Sequence, residues 1–257
     1  MAIQIEICCG SIDDVIEAEI GGADRVELCS ALFLGGLTPS MGTVLEAKSR
    51  LKIPVMVMIR PRDGGFCYSE AEMASIERDA ELAVANGVDG VVFGMLHPDG
   101  TVDSERCQRI LKQIGNKQKV FHRAFDVTPD PYRAMDEIVD LGFTRILTSG
   151  QEDSVLDALP AIRRLIEYAG DRIEILPGGG ILPDSIPQVM QETKCRQIHL
   201  TAFKTVADTS TKAHPTVTFG GTIPPREGEV QLTDRELVRK VVTLARGGSS
   251  AIRSGIE

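Results

Sequence analysis

Two short apolar runs near the start of the chain each end in a glutamate followed closely by cysteine. The first run ends E-I-C-C at residues 6–9, and the second ends E-L-C at residues 27–29. Because side chains alternate along a strand, Glu6 and Cys8 share one face of the first run, and Glu27 and Cys29 share one face of the second. Neighbouring strands would therefore bring two carboxylates and two thiols together.

The two thiols suit a soft metal ion. Thiolates are ligands that favour Cu(I), so Cys8 and Cys29 are candidate Cu(I) ligands. A buried cysteine also serves simply as a small apolar side chain, and that alternative stays open. The six cysteines include no C-x-x-C pair and the four histidines are scattered, so the spacing gives little support to a structural zinc site.

The carboxylates of Glu6 and Glu27 would project from neighbouring strands about 4.8 Å apart. Unpaired like charges at that distance raise the pKa of one group, which would make the pair a candidate catalytic acid and base. Arg60, in M-I-R-P-R, could instead neutralise both carboxylates in an inert ion-pair network. Both interpretations are compatible with the residues.

Further polar residues stand where later apolar runs stop. R-P-R-D-G-G-F places Arg60 and Arg62 around a proline, which suits bidentate binding of a carboxylate or phosphate, although Arg62 could be a solvated loop residue. F-H-R-A-F-D holds His122, Arg123 and Asp126. An imidazole titrates near neutral pH and suits a general base, although a histidine on a strand is commonly a hydrogen-bonded core residue. We predict that His122 and Asp126 are catalytic and that Arg123 binds substrate.

A glycine run follows the seventh apolar run, in P-G-G-G-I at residues 177–181. Gly178, Gly179 and Gly180 would expose backbone amides of the kind that bind phosphate at the start of a helix, although glycine runs are also common in turns. Thr148 and His199 occupy the ends of the sixth and eighth runs. These five residues complete the predicted substrate-binding set.

Eight apolar runs must position these residues. They are rich in Val, Ile and Leu without strict polar alternation, which is typical of strands buried on both faces. The segments between them have helical spacing, and G-A-D-R-V, G-V-D-G-V and G-F-T-R-I recur at junctions about two β/α units apart. The runs begin near Ile3, Arg25, Pro54, Gly90, Lys119, Arg145, Ile173 and Gln197.

This alternation over 257 residues predicts an α/β protein with one (β/α)8 TIM-type barrel domain at residues 1–257. An open Rossmann sheet is disfavoured, because no G-x-G-x-x-G follows the first run. Active sites of such barrels lie at the carboxyl ends of the strands, where the polar residues above stand. One region departs from the pattern: residues 203–233 are polar and contain Gly220-Gly221 and Pro224-Pro225, which predicts a long loop, flexible rather than an ordered lid, before the last helix.

The net charge of −9 argues against nucleic acid or an anionic membrane as a partner. A small anionic ligand would need a local arginine cluster. The chain shows neither a signal-type N-terminus nor an apolar stretch of membrane-spanning length, so we expect a cytoplasmic location with reduced cysteines.

The motifs together resemble those of the CutC copper homeostasis proteins. The resemblance rests on E-I-C-C, G-A-D-R-V-E-L-C, G-G-L-T-P-S-M-G, M-I-R-P-R, F-H-R-A-F-D and L-T-S-G, and covers most of residues 3–200. It implies a cytoplasmic barrel that forms homo-oligomers, dimers or tetramers, with Cys8 and Cys29 as Cu(I) ligands. The chain departs from the family pattern at Asp63, which precedes the loop glycines instead of following them, and in the segment after Phe203.

Three hypotheses follow. The first is a CutC-like protein that binds or handles Cu(I) through the two strand-end thiols. The alternative is a barrel enzyme of unassigned reaction on a small phosphate or carboxylate substrate, because Cu(I) has little use for the carboxylates and guanidinium groups at the strand ends. The third is an oligomeric binding scaffold, since the fold alone does not specify chemistry.

Overall fold

The structure is a computed structural model that describes residues 3–214, 216–219 and 228–247. Its central sheet contains eight short parallel strands, and every one begins at, or within one residue of, a predicted apolar run. The strands are β1 Gln4–Cys9, β2 Arg25–Leu28, β3 Val55–Met58, β4 Gly90–Phe93, β5 Gln118–Phe121, β6 Arg145–Thr148, β7 Glu174–Pro177 and β8 Gln197–Leu200.

The strands curl into a nearly closed barrel. Their order in the sheet is β7-β6-β5-β4-β3-β2-β1-β8. A single parallel bridge between Gly178 and His199 joins the two ends, just beyond β7 and within β8. The predicted (β/α)8 TIM-type barrel is therefore confirmed.

Eight α-helices of the described chain surround the strands. Several begin at the side-chain caps that the sequence indicates: Ser69 and Glu72 form a reciprocal capping box, and Asp130 accepts hydrogen bonds from two amides of the helix that follows. The helices are α1 Ile12–Gly21, α2 Met41–Arg50, α3 Glu70–Ala85, α4 Ser104–Ile114, α5 Pro131–Asp140, α6 Leu159–Ala169, α7 Ile186–Thr193 and α8 Arg235–Ala245. Within the described residues, none is long and apolar enough to cross a bilayer.

Alternation along the strands separates two apolar regions. In β1, Ile5, Ile7 and Cys9 belong to the large core between strands and helices. Cys8 belongs instead to a smaller cluster inside the barrel, together with Cys29 of the segment that follows β2. The remaining buried members of the smaller cluster are Met56, Met58, Val92, Val120, Leu147 and Leu176. The two thiols thus face the barrel interior, as their spacing predicts.

The predicted long loop differs from expectation at both ends. Residues Phe203–Ala207 form β9 and residues Glu229–Thr233 form β10, and the two strands pair antiparallel over five residues. The hairpin is polar because it stands mostly in solvent, so its composition resembles that of a loop. Residues 220–227, which include the Gly-Gly and Pro-Pro pairs, lie outside the described residues, and the flexibility of this segment stays a prediction.

Candidate functional site

Three neighbouring strands bring a thiol, a carboxyl group and an imidazole together at the carboxyl end of the barrel. Cys8 of β1 lies opposite Glu27 of β2, and Glu6 of β1 lies opposite His199 of β8. The nearest donor atoms of Cys8, Glu27 and His199 all lie within 4.8 Å of one another, and all three residues are buried.

Cys29 joins the same group through Glu27. The Sγ atoms of Cys8 and Cys29 each lie 3.4 Å from Glu27 Oε2, within hydrogen-bonding distance for sulfur. The Nε2 atom of His199 lies 3.8 Å from the same oxygen. We call Cys8, Glu27, Cys29 and His199 the thiol cluster. The sequence predicts that two thiols and two carboxylates meet in one place; both thiols contact Glu27, and Glu6 joins them through His199.

Glu6 positions the imidazole of His199, a member of the thiol cluster. Its Oε1 atom lies 2.7 Å from His199 Nδ1, and its Oε2 atom accepts a hydrogen bond from Arg25 Nε. Arg25 also donates to Gln197 Oε1 at 3.0 Å, so the guanidinium is fixed between β1 and β8. Because Glu6 engages Nδ1, the Nε2 atom of His199 is directed at the thiol cluster.

The expectation that Arg60 would neutralise the two glutamates is wrong. Arg25 neutralises Glu6 instead, because the two residues lie opposite each other in the β1–β2 register. Burial opposes ionisation of Glu6, but the charge of Arg25 and the hydrogen bond from His199 outweigh it and hold the pKa well below its usual range. Glu6 is thus a buried, paired carboxylate that orients His199.

The members of the thiol cluster have strongly shifted pKa values. The hydrogen bond from Cys29 lowers the pKa of Cys8 to about 5 in spite of burial, and His199 contributes to the same shift. The bond to Cys8, together with burial, raises the pKa of Cys29 well above its usual value. Burial raises the pKa of Glu27 in the same way, even though His199 opposes that shift.

His199 completes the charge balance of the cluster. Burial disfavours its imidazolium form, yet the surrounding acidic groups, Glu27, Cys8 and Glu6, raise its pKa well above the usual value. At neutral pH the cluster then holds a Cys8 thiolate beside a His199 imidazolium, with the proton of Cys29 retained. This is an environment in which a thiolate is available to a metal ion or an electrophile.

A cavity of about 480 Å³ opens above the thiol cluster at the carboxyl end of the strands. Polar groups from the cluster, from the segment after β5 and from the segment after β7 share its wall with many apolar side chains. Its apolar lining consists of Leu32, Met58, Phe66, Val127, Leu147, Ile181, Leu182 and Leu200. A volume of this size is typical of small-molecule sites.

The two loop arginines are held by the protein itself. Arg60 is buried and lines the cavity, but Nη1 donates to the carbonyls of Leu34 and Gly36, and Nη2 donates to that of Gly64. Arg62 is not among the cavity-lining residues and pairs with Glu72 at the start of α3. Arg62 therefore stabilises its own loop, and its partly exposed position favours the alternative that it is a solvated loop residue.

His122 lines the cavity but is a poor general base. Its Nδ1 atom accepts the amide N–H of Ala124 at 3.2 Å, and its Nε2 atom is buried without a hydrogen-bond partner among the described residues. Burial, assisted by the nearby charge of Arg60, lowers the pKa of His122 to about 3. The ring is therefore neutral with its proton on the buried Nε2 atom, and it is unsuited to accept a proton from a substrate.

Asp126 organises the end of β6. It accepts hydrogen bonds from Arg123 Nε at 2.8 Å, from the hydroxyl of Thr148, and from both the amide and the hydroxyl of Ser149. Thr148 is fully buried and does not line the cavity. Because its oxygens already accept several hydrogen bonds, Asp126 is better suited to position Arg123 than to transfer protons.

Among the three glycines after β7, Gly179 and Gly180 line the cavity, whereas Gly178 forms the bridge to His199. Both cavity glycines have positive φ angles, +117° and +72°, which favour glycine. A Cβ at Gly179 would lie 3.1 Å from Arg123 Nη1, so the guanidinium lies directly against this loop.

Sequence reasoning missed Arg25 and Ser149, which hold Glu6 and Asp126. Arg25 stands at the start of an apolar run, inside the repeated G-A-D-R-V motif, and that position was a usable signal. Ser149 follows Thr148 in L-T-S-G and carried no distinguishing signal beyond its place at a strand end.

The fold and this geometry define a class: a TIM-barrel protein with a buried thiol, carboxyl and imidazole cluster beneath a strand-end cavity. Residues 3–204 match the CutC family. A CutC family protein of Treponema denticola is 46% identical over 240 residues, covering 93% of this chain and 98% of the relative. The chain belongs to the CutC family.

Other relatives link the family by name to copper. The human copper homeostasis protein cutC homolog is 40% identical, covering 94% of this chain and 89% of the relative. A solved structure from Streptococcus agalactiae, described as a candidate copper homeostasis protein CutC, is 38% identical with a TM-score of 0.75, and covers 77% of this chain and 98% of that one. Phosphoribosyl anthranilate isomerase has a TM-score of 0.55 at 14% identity over 95% of this chain and 99% of that one, which shows the fold alone.

Proposed function

We propose that this protein binds Cu(I) through Cys8 and Cys29, with His199 as a third donor, and so serves in copper homeostasis. The observation that carries the proposal is the position of both sulfur atoms 3.4 Å from the same oxygen of Glu27, with the imidazole beside them. Two thiolates and an imidazole match the preference of Cu(I) for soft and borderline ligands.

The proton distribution in the thiol cluster fits this role. Cys8 is a thiolate at neutral pH, because its pKa is about 5, and it can bind a metal without first losing a proton. Cys29 and His199 both have raised pKa values, so each must release a proton when it becomes a ligand. Burial raises the pKa of Glu27, which disfavours the carboxylate form that would compete with the sulfur atoms for the metal.

An anaerobic competition titration against a chromophoric Cu(I) chelator tests the proposal. Replacing both Cys8 and Cys29 by serine should weaken Cu(I) binding by more than about 100-fold, since loss of ligands exceeds the 10- to 100-fold cost of losing groups that merely support them. Cys67→Ser is the matched control, because Cys67 is exposed and outside the cluster. Equal affinity in the double variant and the control would refute the proposal.

A second candidate function is an enzyme acting on a small anionic substrate. The specific observation in its favour is the series Glu6, His199 and Cys8, in which a buried carboxylate holds an imidazole that supports a thiolate on the cavity wall. A thiolate activated by an oriented imidazole is the arrangement required for nucleophilic catalysis. Metal-free protein should then turn over one of a panel of phosphorylated or carboxylated metabolites, and Cys8→Ser should abolish that turnover while Cys67→Ser retains it.

We propose a cytoplasmic location and a homo-oligomeric assembly for this chain. The first is supported by the family and by six cysteines that are all free thiols, as expected of a reducing compartment. Light scattering coupled to gel filtration tests the homo-oligomeric assembly. A monomer at physiological concentration would refute it.

A further inference from the structure

Met58 places a thioether on the wall of the cavity, close to the thiol cluster. Its side chain is buried, belongs to the small interior cluster that contains Cys8 and Cys29, and lines the cavity. The buried members of that interior cluster on β4, β5, β6 and β7 are all hydrocarbon side chains. The sulfur-bearing side chains are therefore gathered on one side of the barrel, on or directly after β1, β2 and β3.

The register between β2 and β3 sets Met58 beside Cys29. Glu27 lies opposite Met56, and the next residues along, Leu28 and Val57, also lie opposite each other. One residue further on, the same register brings Cys29 level with Met58. Because side chains alternate along a strand, both then face the barrel interior, as their membership of the interior cluster requires.

The packing of Gly36 shows how near these two side chains are. A Cβ at Gly36 would lie 3.1 Å from Cys29 Sγ and 3.7 Å from Met58 Cε. The thiol and the end of the thioether side chain therefore pack against the same glycine. Because a methionine side chain is unbranched and flexible, rotation about its terminal bonds can turn Sδ toward the neighbouring thiol.

Met56, the other interior methionine of β3, is directed elsewhere. Its Sδ and Cε atoms would lie 2.7 and 2.6 Å from a Cβ at Gly90, so they fill the space that this glycine leaves free. Gly90 belongs to β4, which neighbours β3 on the side away from β2. Met56 is thus a packing residue, and it provides a matched comparison for Met58.

Met58 extends a row of candidate metal donors across adjacent strands. Strands β8, β1, β2 and β3 are consecutive in the sheet, and they or the residue directly after them carry His199, Cys8, Cys29 and Met58 in that order. All of these except Cys29 line the cavity, so an ion that enters from the cavity meets three donors at its wall. Thioethers, like thiolates, are soft ligands that suit Cu(I), and a thioether has no proton to release before it binds.

We propose that Met58 is a further ligand of Cu(I), whose thioether sulfur binds the ion together with Cys8, Cys29 and His199. This inference rests on the proposed Cu(I) function and adds a donor from β3 to its ligand set. Leucine and methionine are similar in volume, so Met58→Leu removes the sulfur atom with little change in packing.

X-ray absorption at the copper edge tests the assignment directly. The full chain, labelled with selenomethionine and loaded anaerobically with one equivalent of Cu(I), should show selenium bonded to copper. The selenium signal should persist in labelled Met56→Leu and disappear in labelled Met58→Leu. Copper with sulfur neighbours but no selenium in the parent, or a selenium signal that survives Met58→Leu, would overturn the proposal and leave the proposed function standing.

Affinity provides a second measurement, in the anaerobic competition titration against a Cu(I) chelator. Met58→Leu should weaken Cu(I) binding by at least about tenfold, since even groups that only support a ligand cost 10- to 100-fold when they are lost. Met56→Leu makes the same chemical change on the same strand and should keep the parent affinity. Equal affinities in Met58→Leu and Met56→Leu would refute the ligand role of Met58 alone, whereas a parent that binds no Cu(I) would refute both this inference and the proposed function.

Discussion

The hydrogen bond from Cys29 controls the ionisation of Cys8, and Cys29→Ala should make this visible. The pKa of Cys8 falls from 9.0 to about 5, and the bond from Cys29 is the largest contribution to that shift. Each pKa unit corresponds to about 1.36 kcal/mol, so the full shift amounts to about 5 kcal/mol in favour of the thiolate. Removing the Cys29 sulfhydryl should raise the pKa of Cys8 by part of this shift.

The strength of the hydrogen bond from Cys29 sets the size of the expected rise in the pKa of Cys8. A hydrogen bond to a charged group contributes about 1.5–3 kcal/mol, which is about one to two pKa units. Cys29→Ala should therefore raise the pKa of Cys8 to about 6–7. Cys29→Ser keeps an O–H donor at the same place, and its shift should be less than half as large.

The pH dependence of iodoacetamide alkylation at Cys8, followed by peptide mass spectrometry, measures this pKa. Cys8 lines the cavity, from which the reagent approaches it, whereas Cys9, Cys107 and Cys195 do not line it and have raised pKa values. The exposed Cys67 is replaced by serine in every sample. An unchanged midpoint in Cys29→Ala, or a midpoint near 9.0 in the parent, would refute the assignment of the thiolate to Cys8.

The remaining predictions concern the support of the cluster. Arg25→Met leaves Glu6 buried without its partner and should lower the free energy of unfolding by about 3–5 kcal/mol in urea titrations, whereas Arg163→Met, at an exposed pair, should change it by less than about 1 kcal/mol. The pKa of Glu6 in the folded protein lies below its usual 4.5, so the stabilisation from its ionised form is complete above pH 4.5 and is lost as the pH falls. The difference in unfolding free energy between the parent and Glu6→Gln should therefore narrow below pH 4.5. A difference that stays constant with pH would contradict this. Gly36→Ala should destabilise the fold by about 1–2 kcal/mol, because Gly36 has a φ angle of +85°. It should also disturb Cu(I) binding, because a Cβ at this position would lie 3.1 Å from Cys29 Sγ. An unchanged thermal midpoint in Gly36→Ala would count against the predicted destabilisation.

The barrel was predictable because its strands are largely buried on both faces and therefore appear in the sequence as short runs rich in Val, Ile and Leu without strict polar alternation. Even the residue at which each strand begins is recovered to within one position, as at Ile3 against Gln4 and Pro54 against Val55. The hairpin of β9 and β10 was not predictable in this way. Its strands are largely exposed, so no apolar run marks them.

The meeting of thiols and carboxyl groups was predictable from side-chain alternation, but the choice of partners was not. Partners depend on the register between strands, which places Arg25 and His199 on either side of Glu6. Register is a property of the folded sheet, and a single sequence does not display it. The long side chains of Arg60 and Arg62 likewise reach carbonyl groups whose positions depend on the loop conformation.

The contacts of Arg25 and Glu6 explain how charged side chains are accommodated inside the barrel, next to the thiol cluster. A buried ion pair such as Arg25 and Glu6 offsets its desolvation cost only with good geometry and added hydrogen bonds, and here Gln197 and His199 supply them. The same contacts fix the Nε2 atom of His199 toward Cys8 and Glu27. Both proposed functions need this orientation, because a metal requires the lone pair of Nε2 and a nucleophile requires its proton. Glu27 is the residue on which the two functions differ: Cu(I) binding through sulfur needs no acid there, whereas a catalytic cycle at Cys8 would have beside it a carboxyl group whose raised pKa suits proton transfer.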